Sequence, residues 1–309
     1  MNPFTPLDPN NPNLTPSPLA DPITGAIFAN VESAGLAAES LIRATLKSDG
    51  SSNLLGRIIR VTPQFTHVSP FNRGCRVDID TASSSNEQVI FEVQIKTDPY
   101  IMIRDVFTAS HIFTASSNKG DTSAQMAKKM PRVVFINILG YNIRSSNKEM
   151  VQPFKVLYTK PPQEIAVPNL AGYNIQLPRI LEMEPNFDDE LYCWCYTLYT
   201  AHQNNQTIQE VVSMTPALQA YAEKNNGFQQ FCDRYQLVAS SQKARDDYAK
   251  WVVSIMREEG MMEGARQEGI QKGIQSAMEE VAKKMKNTGD SPEKILEFTG
   301  LSLSAIEKL

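Results

Sequence analysis

The sequence predicts an α/β protein: a mixed β-sheet flanked by helices, followed by a helical C-terminal region. Three observations lead there. Strand-like runs rich in β-branched residues occupy the middle of the chain, from Gly56 to about Met183. Helical periodicity precedes these runs and recurs between them. From Asp188 onward apolar residues recur at helical spacing only.

Taken in order, Met1 to Pro18 holds six of the nineteen prolines and no clear period, so residues 1–19 read as a disordered or extended arm. Asp21-Pro22 opens a helix with Pro in its first turn. Ala34, Ala38, Leu41 and Ile42 give a second helix, Glu32 to Lys47, one apolar side, and Ser48-Asp49-Gly50 stops it. The period then changes to that of a strand over Gly56 to Thr62. Gly74 to Ala82, the turn cluster Ser83 to Asn86, and Gln88 to Lys96 read as a β-hairpin. Asp98-Pro99 caps a helix from Pro99 to about Ala115. A polar loop and a short basic helix lead to a buried strand, Arg132 to Leu139. Phe154 to Thr159 and Arg179 to Met183 read as further strands, which closes a core over 20–188.

Residues 189–257 form a helical region: Leu191, Trp194, Cys195 and Leu198 share one face, and helices follow near Thr207 to Lys224 and Ala244 to Met285. The last segment, 258–309, combines the end of a long helix with a helix-turn-helix outline around Thr299-Gly300. Gly260, Gly264, Gly269 and Gly273, beside an Ile270, Ile274, Ala277 and Val281 stripe, suit close approach of a second helix and point to a homo-oligomer. The terminal module carries more Glu (293, 297, 307) than Lys (294, 308), which favours packing or assembly over reading a DNA groove.

Composition narrows the function classes. With 41% hydrophobic and 21% charged residues the chain is an ordinary globular protein. The Pro- and Asn-rich start is unlike a secretory signal, and no run approaches the roughly 20 apolar residues of a membrane span. Four scattered cysteines suit reduced thiols, so a cytoplasmic protein with no membrane partner is expected. His67, His111 and His202 are isolated, and Cys193 and Cys195 diverge on a helix, so a zinc site has no support. Nucleotide-binding glycine loops are absent. Net charge is −4, yet residues 57–160 hold 14 Lys and Arg against 8 Asp and Glu. That is +6 there and −10 elsewhere, a basic middle suited to approaching phosphate.

The hairpin carries the chemistry. Side chains two apart on a strand share a face, which groups Asp78 with Asp80, and Glu92 with Gln94 and Lys96. Val77 and Ile79, like Phe91, Val93 and Ile95, fall on the opposite, core-facing side. Carboxylates suit a hard cation such as Mg²⁺, which activates water and offsets charge on a phosphodiester. Spacing alone leaves open a plain solvated face, and leaves open which of Asp78 and Asp80 is the ligand.

The run Arg76-Val77-Asp78-Ile79, a loop, then Val89-Ile90-Phe91-Glu92-Val93-Gln94 resembles the D…E-x-Q motif of the PD-(D/E)XK nuclease family transposases, also called recombination-promoting nucleases. Asp21 to Leu46, Arg104, Val133 to Leu139, Glu190 to Trp194 and the tail from Glu259 are also similar to that family. The resemblance implies a restriction-endonuclease-like core and a Mg²⁺- or Mn²⁺-dependent endonuclease acting on DNA, transposase-derived and recombination-related. It implies Asp78 and Glu92 as metal ligands, with the Val93 carbonyl as a third. Gln94 stands where many relatives carry a lysine, and Lys96 is the candidate to supply the missing charge. Arg104 would contact phosphate or the site carboxylates, and Glu39 is the candidate for an acidic residue on the early helix. Without the lysine, a catalytically weak or inactive DNA- or protein-binding member of the same fold is the alternative.

Overall fold

The computed structural model describes residues 14–28, 31–50, 56–67, 75–143, 148–161 and 163–309, with the backbone alone for 31–34, 67 and 75. The chain divides into two compact units, Met1–Trp251 and Val252–Leu309.

In chain order the strands of the first unit are β1 (Ile58–Pro63), β2 (Thr66–His67), β3 (Cys75–Arg76), β4 (Ile79–Ser83), β5 (Glu87–Gln94), β6 (Arg132–Leu139), β7 (Val151–Leu157) and β8 (Ile165–Gln176). Six of them form one sheet in the order β1-β4-β5-β6-β8-β7, while β2 and β3 pair separately. The β5–β6 and β6–β8 pairs are parallel and the others antiparallel, so the sheet is mixed as expected. A parallel step needs a crossover. Two helices make it between β5 and β6: α3 (Ile101–Ala115) and α4 (Ser123–Lys129).

Helices cover both faces of the sheet. On one face Ala109 and Ile112 of α3 pack with Val77, Ile90, Val133 and Phe135. The other face belongs to α1 (Asp21–Ile27), α2 (Val31–Lys47), α5 (Glu190–Gln203) and α8 (Asn226–Ser240). There Phe28, Leu41, Trp194 and Phe231 meet Ile79, Phe91, Val93 and Ile138 around one small apolar cavity. Trp194 is fully buried, edge-on to Phe228 at 5.0 Å. Such large aromatics dominate the energetics of a core. Because α5 and α8 complete this layer, the helices up to Trp251 belong to the same unit as the sheet.

Several expectations need correction. Residues 1–13 of the arm lie outside the described residues, but the rest of it is packed. Thr15 N–H donates to Asn205 Oδ1 at 3.0 Å, Ser17 Oγ meets His202 Nδ1 at 2.6 Å, and Tyr235 OH donates to the Pro16 carbonyl at 2.7 Å. Arg179 to Met183 is no strand: Pro178 starts a 3-10 helix, Leu177–Glu182. Besides the two-residue β2, the strand not expected is β8, disguised by Pro168 and Gly172. Pro168 falls in the irregular register where Val156 pairs Val167 and Lys155 pairs Ala171. Gly172 leaves room for the Phe154 ring of β7, which a Cβ there would meet at 2.1 Å. Pro216 splits the helix expected near Thr207 to Lys224 into α6 (Ile208–Met214) and α7 (Pro216–Lys224).

The strand expected from Gly74 to Ala82 is also interrupted. β3 pairs with β2, β4 pairs with β1 and β5, and Val77-Asp78 lie between them. The interruption reverses the alternation. Val77 faces α3 beside Ile90, whereas Ile79 faces Phe91 on the opposite side.

The second unit holds the later part of α9 (Gln242–Asn287), α10 (Pro292–Thr299) and α11 (Leu303–Glu307). Its core is Ala282, Ile295 and Ile306, flanked by Met285, Leu301 and Leu309. Ser291 and Ser302 cap α10 and α11, and Gly300 ends α10 at φ 69°, a left-handed position glycine takes without strain.

Candidate active site

The interruption between β3 and β4 is what places Asp78. Gln64 N–H donates to the Asp78 carbonyl at 2.6 Å and Val77 N–H to the Phe65 carbonyl at 2.8 Å, fixing the backbone there. Across the hairpin, Val93 N–H donates to Asp78 Oδ2 at 2.8 Å. Glu92, the preceding residue on β5, is 5% exposed on the α3 side, in register with Asn137 of β6. From α3, Arg104 Nη2 approaches Glu92 Oε2 at 3.2 Å and Nη1 approaches Asp98 Oδ2 at 3.1 Å. Asp78, Glu92 and Arg104 therefore come together, drawn from three elements.

Electrostatics mark the same place. Burial raises the Asp78 carboxyl to about 6, and the charge of Asp21 adds to this; the Val93 N–H, Arg104 and Arg76 oppose it. Glu92 is raised further, to about 9, by burial and then by Asp78, with Arg104 opposing. Below it, Asp105 is raised to about 7 by burial, against the Asn137 amide, which donates to it at 2.8 Å. Asn137 Nδ2 also donates to Asn174 Oδ1 at 2.9 Å, extending a buried polar row across β6 and β8. Buried carboxyls shifted by desolvation and by one another are typical of functional sites.

The remaining sequence candidates divide. Gln94 ends β5, half-buried on the Glu92 side, and its carbonyl accepts Gly140 N–H at 2.8 Å. Lys96 lies past the strand end at a bend, so strand alternation does not carry it onto the Glu92 face. Asp80 is not beside Asp78: fully buried, it pairs with Arg60 at 3.0 Å and accepts from Gln88 at 2.7 Å. Nor is the face a solvated one throughout: Asp80 and Glu92 are buried, while Asp78 and Gln94 are half-buried. Glu39 is held by Arg43 at 2.9 Å and by Ile58 N–H at 3.2 Å. The acidic residue of the early helices whose charge bears on the site is Asp21.

Sequence reasoning missed Asp21, Asp98, Asp105 and Asn137 as parts of this region. Asp21 and Asp98 carried only a helix-start signal; Asp98 Oδ1 does accept Tyr100 N–H at 2.8 Å, while its other oxygen holds Arg104. Asn137 had a usable signal, a lone amide inside the apolar run Arg132 to Leu139.

The donor set fits a hard divalent cation. Two adjacent carboxylates, costly to ionise together in a buried setting, gain from a positive charge between them. One or two protein carboxylates, completed by substrate oxygens, suffice for Mg²⁺. Among the described residues no three His, Cys, Asp or Glu side chains form a ready-made metal cluster. Among them, too, no helix is long and apolar enough to cross a membrane.

No curated protein and no solved structure matches the chain significantly. A sequence model for the PD-(D/E)XK nuclease family transposases, a family whose nucleases generally use divalent metals, matches residues 32–255. That span contains both carboxylates, the arginine and the whole six-stranded sheet, and the chain belongs to the PD-(D/E)XK nuclease family transposases.

Proposed function

We propose that the protein is a divalent-metal-dependent DNA endonuclease with Asp78 and Glu92 at its centre. The observation that carries this is the juxtaposition of those two carboxyls, both raised by burial, beneath a single arginine. Asp78, Glu92 and the Val93 carbonyl would hold Mg²⁺ or Mn²⁺. Once bound, the cation acidifies a water and offsets charge on the attacked phosphodiester. Val93 N–H fixes the rotamer of Asp78, and Gln94 orients the water through its amide. Arg104, tied to Glu92 and braced by Asp98, brings the positive charge that an E-x-Q motif lacks. Its half-exposed guanidinium also offers donors to phosphate.

A Mn²⁺ titration followed by electron paramagnetic resonance tests this reading against that of a binding protein without catalysis. Binding that is lost in Asp78→Ala supports the nuclease. A folded protein that ignores Mn²⁺ favours the binding protein.

We take the activity to be recombination-related, which membership of a transposase family supports, and the setting to be cytoplasmic, which the free buried cysteines support. We also assign the α9 stripe to a second copy of the chain. Ile270, Ile274 and Val281 are exposed, and Gly260, Gly264, Gly269 and Gly273 meet nothing within 4 Å. Sedimentation of a chain truncated before Glu258 should show loss of assembly; a wild-type monomer would overturn the assignment.

A further inference from the structure

The helix that carries Arg104 is apolar on its solvent side as well. At 100° per residue, Tyr100, Ile103, Arg104, Phe107 and His111 fall within about 100° of arc, one stripe along α3. Opposite lie the buried positions Ile101, Asp105, Thr108, Ala109 and Ile112. Tyr100 is 62% exposed, Ile103 65% and Phe107 44%, and the Phe107 ring meets His111 edge-on at 4.4 Å. Val106, 53% exposed, widens the patch. Large apolar groups clustered in water mark an interaction surface.

Position selects the occupant. Arg104 belongs to the stripe and pairs with Glu92, so a ligand lying along the stripe meets the half-exposed arginine of the site. The flanking groups are flat rings and a guanidinium, which stack on the faces of unpaired bases. In a duplex those faces are already stacked on one another. We propose that the Tyr100–Phe107 stripe is a stacking platform and that the preferred substrate presents unpaired bases: a single strand, a flap or a melted segment. This rests on the nuclease reading and deepens it.

The test measures binding of wild type, Tyr100→Ala and Phe107→Ala to fluorescent oligonucleotides in EDTA, with Phe107→Trp as the conservative variant. A single strand and the matching blunt duplex are compared, and metal-dependent plasmid cleavage is recorded in parallel. All three substitutions are at exposed positions, and circular dichroism checks the fold. Single-strand affinity should exceed duplex affinity by at least about ten-fold, fall about ten-fold in each alanine variant, and be kept in Phe107→Trp. Equal or tighter duplex binding, or alanine variants that bind the single strand like wild type, overturns the platform. If cleavage persists in that case, the nuclease reading stands alone. A wild-type dimer that dissociates on Phe107→Ala without any change in DNA affinity shows the stripe to be a protein interface, which also overturns the proposal.

Discussion

Arg104 reaches across from α3 to within 3.2 Å of Glu92 Oε2 on β5, while its other terminal nitrogen is held by Asp98. The pair joins the crossover helix to the strand that bears the motif. It also puts the positive charge on the carboxylate rather than on the residue two positions further along the strand. Arg104→Ala should lower cleavage by about 10²-fold or more, the scale of losing one oriented charge at a reacting centre. Arg104→Lys should recover only part, because a single ammonium cannot bridge Glu92 and Asp98. With the arginine half-exposed, stability should fall by only about 1 kcal/mol. Single-turnover rates and thermal unfolding measure the two effects.

The pH dependence has a definite sign. Asp78, near 6, and Glu92, near 9, sit above the roughly 4 expected for unfolded carboxyls, so the folded protein binds more protons in that interval. The stability they contribute is complete below pH 4 and is lost as pH rises through 6 and toward 9. Metal and protons compete for the same oxygens, so Mg²⁺ or Mn²⁺ should raise the melting temperature more at pH 8 than at pH 5.5. Calorimetric scans of wild type and Glu92→Gln check this; the variant should show a flatter pH profile.

Asp78 and Asp80 should separate cleanly. Asp78→Asn should abolish Mn²⁺ binding. Asp80→Asn should leave cleavage within about three-fold but destabilise the fold by about 1–3 kcal/mol, since it strips a fully buried partner from Arg60. Denaturant titration alongside metal binding distinguishes them.

Asp21 and Glu39 form a second contrast. The charge of Asp21 acts on both site carboxyls, whereas Glu39 is engaged with Arg43 and Ile58. Asp21→Asn should weaken Mn²⁺ binding by several-fold, and Glu39→Gln should leave it unchanged.

Much of this was legible in the sequence. The mixed sheet followed from strand and helix periods, and the pairing of Asp78 with the Glu92 strand from a hairpin pattern around Ser83 to Asn86. Asn86 takes a left-handed φ of 59° in that turn, which asparagine tolerates. What periodicity missed has local causes. An interruption of two residues sends Val77 and Ile79 to opposite faces and separates Asp80 from Asp78, and no alternation rule foresees it. β8 was hidden because Pro168 sits in an irregular stretch and Gly172 beneath Phe154, so its breakers do not break it. Asp21, Asp98 and Asn137 reach the site through tertiary packing, which one-dimensional spacing does not encode.

The most direct test is cleavage of supercoiled plasmid by the purified full-length chain in Mg²⁺, Mn²⁺ or EDTA, with Glu92→Gln alongside. The account predicts nicking or linearisation that requires the metal and disappears in Glu92→Gln while the fold is retained. Equal cleavage by Glu92→Gln, or no cleavage by a folded wild-type chain with either metal, would contradict it.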